Sequence, residues 1–209
     1  MDSLQKIKWH MFRLKFEHEE IRIDKKIGGK ALNKRIETEF ASKGAKDTQS
    51  TDYRLLEPIF EKVTLSQNDK VVDIGCGQGR VLSYLITEKG FKGKLVGVEL
   101  SEKIADFTKQ RFQNFPQVEI INGNAVKSIP SDGTVFYLFN PFTGEVLRDF
   151  LSSFEKTIKH PATIIYTVPV HQSEFDNRRC FSLDETFSVE RSYIKYNTLV
   201  NIYKYNPNF

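Results

Sequence analysis

From residue 51 onward, short apolar runs alternate with segments of helical periodicity, and this alternation limits the fold more than any other feature of the chain. Amphipathic helices are predicted over residues 53–63, 80–89, 101–112 and 145–158. Strands that are apolar almost throughout are predicted over residues 70–74, 94–99, 118–121, 134–139 and 162–168. Because such strands must be covered on both faces, we expect an α/β fold built on a mostly parallel sheet.

The C-terminal part of the chain has a different pattern of apolar and polar residues. β-Branched and aromatic residues dominate residues 187–193 and 199–205, and Asn197-Thr198 lies between these two runs. We predict two antiparallel strands there, which close one edge of the sheet as a C-terminal hairpin.

The first fifty residues lack the alternating pattern. We interpret residues 1–50 as a mainly helical N-terminal extension or cap on a main domain of residues 51–209. A helix followed by a short strand or turn is predicted before Gly28-Gly29, and a second short helix from Ala31 to Ala41. Residues 42–50 have no apolar period and are predicted to form a loop between the two parts.

Composition excludes several classes of protein. Seventeen Phe and eight Tyr in 209 residues are too many aromatic side chains for a disordered chain. No apolar run approaches the ~18 residues that span a bilayer, and the N-terminus lacks the apolar stretch of a secretory signal. Two cysteines, Cys76 and Cys180, are too few for a disulfide scaffold, and no Cys/His cluster suggests a metal site. We therefore expect a cytoplasmic protein that acts away from membranes.

The net charge of +4 is located entirely in the N-terminal extension. Residues 1–50 contain twelve Lys/Arg and eight Asp/Glu, which gives 12 − 8 = +4, whereas the remaining 19 basic and 19 acidic residues cancel. This basic excess favours a weak interaction with an anionic partner such as RNA. The acids are interleaved with the bases, so a solvated helix face explains the same composition.

A glycine-rich turn is the most informative motif. The segment Asp73-Ile74-Gly75-Cys76-Gly77-Gln78-Gly79-Arg80 follows a predicted strand and opens a predicted helix. In a parallel sheet, ligands bind over such turns, and glycine lets a ligand approach the backbone closely. The G-x-G-x-G spacing differs from the G-x-G-x-x-G of dinucleotide-binding proteins, and the absence of a following Gly-Lys-Ser/Thr excludes a phosphate-binding P-loop.

Polar residues also follow three other predicted strands. Glu99 ends the second strand, twenty residues after Gly79, where a carboxylate can accept hydrogen bonds from both hydroxyls of a ribose. Asn124-Ala125 follows the third strand, and Asn140-Pro141-Phe142 follows the fourth. Because the carboxyl ends of parallel strands meet at one edge of a sheet, we expect all four groups to surround one ligand site.

Together these motifs resemble those of the class I S-adenosylmethionine-dependent methyltransferases, over about residues 51–170, and in particular a group of small, mostly uncharacterised bacterial members. The resemblance implies a Rossmann-like fold, S-adenosyl-L-methionine as cofactor and methyl transfer as activity. The predicted hairpin agrees with the closing strands of this family.

The resemblance also implies roles for the cofactor-binding residues. In the family's first motif, the acid that matches Asp73 helps to hold the methionine amino group. The glycines that match Gly75, Gly77 and Gly79 admit the methionine and the ribose, and Cys76 is a small filler between them.

Four further residues receive roles in the same way. Glu99 matches the acid that holds the ribose hydroxyls, and Asn124 matches the residue that meets the adenine amine. Ala125 would supply a backbone N–H, and Tyr53 resembles an aromatic residue that closes over the cofactor.

Asn140, Pro141 and Phe142 are the candidate catalytic residues. In relatives that methylate amines, the corresponding motif is Asp/Asn/Ser-Pro-Pro-aromatic, whose oxygen atoms accept hydrogen bonds from the amine. This chain lacks the second proline. The motif favours an amine acceptor, on protein, RNA or a small molecule, while oxygen and carbon acceptors stay open. Residues 1–50 and the loop 169–186 are expected to border the acceptor.

Two interpretations from other classes also stay open. One is a non-catalytic, cofactor-binding adaptor that uses the basic N-terminus to bind RNA or protein. The other is a nicotinamide-dependent oxidoreductase, which the glycine spacing and Asn140-Pro141-Phe142 disfavour.

Overall fold

A computed structural model describes residues 3–32, 35–37, 39–40, 48–190 and 197–209. The elements, in chain order, are α1 (Ser3–Lys26), α2 (Tyr53–Lys62), β1 (Lys70–Ile74), α3 (Arg80–Thr87), β2 (Lys94–Glu99), α4 (Glu102–Arg111), β3 (Val118–Asn122), β4 (Val135–Phe139), α5 (Gly144–Thr157), β5 (Ala162–Thr167), α6 (Ser173–Asp176), β6 (Phe181–Val189) and β7 (Thr198–Tyr205).

The seven strands form one sheet in the order β3-β2-β1-β4-β5-β7-β6. The first five strands in sequence pair in parallel, and β7 pairs antiparallel with both β5 and β6. The strand order reverses between β1 and β4, which is the point where ligands bind in open α/β sheets. The predicted Rossmann-like fold with a C-terminal antiparallel pair is confirmed.

Two hydrophobic clusters cover the two faces of the sheet. On one face, β1, β4 and β5 pack against α2 and α3, with Leu56, Ile59 and Leu82 fully buried. On the other face, α5 packs its apolar side, which includes Phe150 and Phe154, against β4 and β5. Covering on both faces explains why the central strands are apolar at almost every position.

The N-terminal extension differs from its prediction. The expected strand or turn around Ile21 and Ile23 is absent, because α1 continues as one helix to Lys26 and places Ile23 in the core. The described residues between Ala31 and Ala41 are not helical; Ile36 instead forms an isolated antiparallel bridge with Thr48. Most of the predicted loop 42–50 lies outside the described residues.

The C-terminal hairpin is present, but its first strand begins earlier than predicted. β6 covers Phe181–Val189 rather than residues 187–193, and residues 191–196 lie outside the described part of the chain. Most of its exposed positions are polar, with Leu183 as the exception, and a register shift between Leu183 and Glu185 interrupts the alternation. An edge strand with these features carries a weak apolar signal, which explains why the pattern misplaced it.

No helix in the described residues is both long enough and apolar enough to cross a membrane.

Candidate active site

The carboxyl ends of β1, β2, β3 and β4 surround a cavity of ≈ 640 Å³, within the usual size range of small-molecule sites. The glycine turn after β1, the start of α4 and the turns after β3 and β4 form most of its wall. Described residues between 35 and 40, together with residues 48–52, form the remaining side. The four polar strand ends predicted to share a site therefore do so.

The glycine turn requires glycine for conformation and for space. Gly75 and Gly77 have φ values of 76° and 51°, in the left-handed region that L side chains rarely adopt. A Cβ on Gly77 would lie 2.5 Å from the Thr48 methyl carbon, and one on Gly75 would lie 3.2 Å from Pro141 Cβ. The Gly75 and Cys76 N–H groups both donate to the Val98 carbonyl, at 2.9 and 3.0 Å, which ties the turn to β2.

Glu99 lies directly beside this turn. Its Oε2 accepts a hydrogen bond from the Gly77 N–H at 3.0 Å, and its Oε1 accepts one from the Ser101 N–H at 2.9 Å. The side chain is buried, and this burial raises the pKa of Glu99 against the lowering effect of the backbone donors. A carboxylate offers about four acceptor positions, so the two bonds leave capacity for a ligand's hydroxyl groups.

Asp73 is a buried carboxylate without a hydrogen-bond donor. Asp73 lies in β1 and lines the cavity, and it is 3% exposed. None of the described residues donates a hydrogen bond to its side chain. Burial, and secondarily the nearby Glu99, raise the pKa of Asp73 to about 8. A buried acid of this kind is stabilised by a cation, and the cavity is the direction from which one can approach it.

The turn after β3 holds the next predicted pair. The Gly123 N–H donates to the Glu99 carbonyl at 3.0 Å, and the Asn124 Oδ1 accepts from the Val126 N–H at 2.9 Å. Asn124 and the buried Ala125 both line the cavity. The Asn124 side chain is thus oriented by its own turn, as Asx residues commonly are.

The turn after β4 carries Asn140, Pro141 and Phe142, and all three line the cavity. Asn140 has a φ of 39°, a left-handed conformation that costs energy in a residue other than glycine and is concentrated at functional sites. The Tyr166 hydroxyl donates to the Asn140 Oδ1 at 3.4 Å. The Phe142 ring packs against Phe150 with centroids 5.5 Å apart.

Three predicted cofactor residues have other surroundings. Gly79 does not line the cavity; a Cβ there would lie 2.5 Å from the Phe112 ring. Tyr53 does not line the cavity; its hydroxyl donates to Asp24 at 2.9 Å, and its ring lies under the Arg80 guanidinium. Cys76 lines the cavity but packs against Gly97, and burial raises the pKa of its thiol, which makes it a poor nucleophile. Among the described residues, no group of His, Cys, Asp and Glu is arranged to hold a metal ion.

Several wall residues were not singled out from the sequence. Thr48–Asp52, Lys103, Ile104 and Tyr137 line the cavity, whereas no residue of the loop 169–186 does. The strand alternation contained a signal for Tyr137, because it lies opposite Asp73 in the register of β1 and β4. The expectation that residues 1–50 border the site is matched by described residues between 35 and 40 and by residues 48–50, but no local pattern indicated their position over the glycine turn.

The known proteins that match this chain are described as methyltransferases. Residues 71–159, less than half of the chain, match a family model described as a methyltransferase domain. The chain is 26% identical over 125 residues to an rRNA adenine N-6-methyltransferase of Lysinibacillus sphaericus, covering 59% of this chain and 49% of that protein. It is 24% identical over 122 residues to a demethylmenaquinone methyltransferase of Lysinibacillus sphaericus (strain C3-41), covering 57% and 52%.

Solved structures show the same fold. An RNA methyltransferase from Salinibacter ruber, in complex with S-adenosyl-L-homocysteine, aligns with a TM-score of 0.59 at 15% identity over 75% of this chain and 93% of that one. A SAM-dependent methyltransferase from Aquifex aeolicus aligns with a TM-score of 0.59 at 15% identity, over 72% and 89%. The chain spans about half the length of the curated relatives it matches. These matches confirm the predicted fold and are consistent with the predicted family and cofactor.

Proposed function

We propose that this chain is a class I S-adenosylmethionine-dependent methyltransferase and that it transfers the methyl group of S-adenosylmethionine to an amine acceptor. The observation that carries the proposal is a single cavity in which two buried carboxylates, Asp73 and Glu99, face an Asn-Pro-aromatic turn. The cofactor, when bound, supplies an electrophilic methyl group on a sulfonium. The protein has to hold the two reactants in line and exclude water.

Glu99 would hold the ribose. Its two hydrogen bonds to Gly77 and Ser101 fix the carboxylate at the cavity wall and leave acceptor positions for a sugar diol. The absence of a side chain at Gly77 lets the Thr48 methyl pack against the turn, since a Cβ there would lie 2.5 Å from it. The donor set and the ≈ 640 Å³ of the cavity fit the cofactor.

Asp73 would hold the methionine ammonium. Its carboxylate is buried and has no donor among the described residues, so an ammonium group would be its first close partner. A cation close to a carboxylate lowers the pKa of that carboxylate, which reverses the effect of burial. Asp73 would therefore be mostly protonated in the free protein at neutral pH and ionised in the complex.

Asn124 and Ala125 would border the adenine. The carbonyl oxygen of Asn124 already accepts one hydrogen bond, from Val126, and can accept a second from an adenine amine. The Ala125 N–H is the neighbouring donor that the family pattern uses. Cys76 contributes shape to the cavity wall and no chemistry, and Gly79, which does not line the cavity, would act only by letting Phe112 pack against the turn.

Asn140 would orient the acceptor. Its Oδ1 and the backbone carbonyl of Pro141 can accept hydrogen bonds from an amine, which turns the nitrogen lone pair toward the methyl group. The Phe142 ring offers a flat surface to a planar acceptor. After transfer, the methylated nitrogen would carry one proton too many, and Asn140 and the Pro141 carbonyl would hold it while that proton passes to solvent.

An RNA or protein acceptor is favoured over a small molecule by one feature of this chain, the basic excess of residues 1–50. The rRNA methyltransferase among the relatives is consistent with an RNA amine, and the demethylmenaquinone methyltransferase supports the small-molecule alternative.

Transfer of a tritiated methyl group into fractionated cell extract tests the function. We expect label in a fraction that nuclease or protease removes, and a loss of transfer in Asn140→Ala with cofactor binding retained. Asn177→Ala, an exposed asparagine outside the cavity, is the matched control. Binding of S-adenosylhomocysteine without transfer to any fraction would favour the adaptor, and label in a small quinone-like or other metabolite would overturn the macromolecular acceptor.

A further inference from the structure

Four charged side chains are buried together between α1, α3 and α4, and the proposed reaction uses none of them. We name this group, formed by Glu20, Asp24, Arg80 and Arg111, the Arg80 cluster. Arg80 is 3% exposed; its guanidinium donates to Glu20 at 2.6 Å and to the two Asp24 oxygens at 3.1 and 2.7 Å. Two acids therefore face two bases in a buried region, and Arg80 also lines the cavity.

Arg111 connects the same helix end to α4. Its guanidinium donates to the Asp24 carbonyl at 2.6 Å and to the Lys30 carbonyl at 3.2 Å, beyond the last turn of α1. The last carbonyls of a helix lack partners within the helix, so this arginine satisfies groups that burial would otherwise leave unpaired. The C-terminal half of α1 is thereby held by side chains from two other helices.

The cluster also reaches the segment that forms one side of the cavity. Arg80 donates to the Thr51 carbonyl at 3.4 Å, and the Tyr53 N–H donates to Glu20 at 2.8 Å. Residues 48–52 line the cavity, and the Thr48 methyl lies where a Gly77 side chain would be. Arg80 itself directly follows Gly79, at the start of α3.

α1 contributes no described residue to the cavity wall. Arg80 itself lines the cavity and pairs with α1, so a cavity ligand can affect α1 through Arg80 and through residues 48–52. A buried charge that loses its partner is strongly destabilising, so α1 cannot separate from α3 without exposing or stranding Arg80.

We propose that Arg80 is a positioning residue that couples the docking of α1 to ligand binding in the cavity. With α1 docked, Glu20, Asp24 and Arg80 hold residues 48–52 against the glycine turn and complete the binding wall. With α1 detached, that wall is lost and the ligand is held more weakly. The inference rests on the proposed function only in taking S-adenosylhomocysteine as the cavity's ligand.

Amide hydrogen exchange in the full-length protein, with and without saturating S-adenosylhomocysteine, tests the coupling directly. We expect the ligand to slow exchange in α1 by about tenfold or more, although α1 does not touch the cavity. Because coupling between two events is reciprocal, the same factor must appear as tighter binding when α1 is docked.

Asp24→Asn, which removes one charge that faces Arg80, should weaken S-adenosylhomocysteine binding by roughly tenfold in calorimetry and abolish the ligand-dependent slowing in α1. Glu19→Gln is the matched control, because Glu19 lies on the same helix and pairs with Arg54 at the surface. It should leave both measurements unchanged. Arg80→Lys, which keeps the charge but loses the planar fork, should give an intermediate result.

If bound S-adenosylhomocysteine leaves amide exchange in wild-type α1 unchanged, the coupling is overturned. This result does not depend on whether any variant folds. Normal binding by a folded Asp24→Asn protein would overturn it as well. A wild-type protein that does not bind S-adenosylhomocysteine would overturn this inference together with the proposed function, whereas binding without coupling would leave the proposed function intact.

Discussion

Binding of S-adenosylhomocysteine should release a proton from Asp73. Burial raises the pKa of this carboxyl from 3.8 to about 8 in the free protein. At pH 7 a group with that pKa is about 90% protonated, and the shift corresponds to roughly 5–6 kcal/mol disfavouring the charged form. An ammonium group held against Asp73 requires the ionised form, so complex formation at pH 7 should release about 0.9 proton.

The sign of the pH dependence follows from the same linkage. A raised pKa means that the stability contributed by protonated Asp73 is complete below pH 3.8 and is lost as pH rises through about 8. Ligand affinity has the opposite trend, because it depends on the ionised fraction. The association constant should rise about fiftyfold between about pH 6 and about pH 8 and then level off.

Calorimetry in buffers of different ionisation enthalpy measures the released protons. S-adenosylhomocysteine is the suitable ligand, because it lacks the sulfonium charge and leaves the ammonium as the only cation. Asp73→Asn should bind with no pH dependence in this range and release no proton. Asp106→Asn, at an exposed position of α4, should behave as the wild type. Tight binding by the wild type at pH 7 without proton release would refute the assignment of Asp73 to the ammonium.

Three other substitutions probe the same structure. Glu99→Ala should weaken S-adenosylhomocysteine binding by about 1.5–3 kcal/mol in calorimetry, because a charged acceptor is lost; unchanged affinity would remove Glu99 from the ribose site. Gly77→Ala should reduce binding because of its positive φ and the 2.5 Å approach to the Thr48 methyl, and Thr48→Ser should restore part of it; binding equal to wild type would contradict this geometry. Burial raises the pKa of Glu20 to about 7. The stability that protonated Glu20 contributes to the folded protein is therefore complete below pH 4.5 and is lost as the pH rises through about 7. In denaturant unfolding, the free energy of unfolding of Glu20→Gln should rise relative to that of the wild type by about 3 kcal/mol between about pH 4 and about pH 9. A difference that does not change with pH would show that Glu20 titrates normally.

The sequence predicted the central part of the fold well because its signals are local. The apolar runs of β1, β2 and β4 have the period and length of buried strands, and their burial confirms that pattern. The gathering of the polar turns at one edge follows from the parallel arrangement of these strands, whereas the strand order was not predicted. The edge strand β6 was misplaced because alternating polar positions on an exposed strand carry little apolar signal.

The N-terminal extension shows the limit of local patterns. Glu20 and Asp24 lie in a segment rich in charge, where the composition indicates a solvated face. They are buried because Arg80 and Arg111, at separations of 56 to 87 residues from Asp24, meet them in space. No window of sequence contains both partners of such an ion pair. The same long-range packing turned Tyr53 toward Asp24 and away from the cavity.

The amino-acid sequence alone thus determined the parallel sheet, the glycine turn and the acids and amides at the strand ends, since periodicity and short spacings encode them. Only the tertiary structure decided that α1 docks on α3 and that residues 48–52 complete the cavity wall. It also decided that Asp73 is buried and accepts no hydrogen bond from any residue that the structure describes. These outcomes depend on which distant charges and surfaces meet, and desolvation acts on a side chain only once that packing exists.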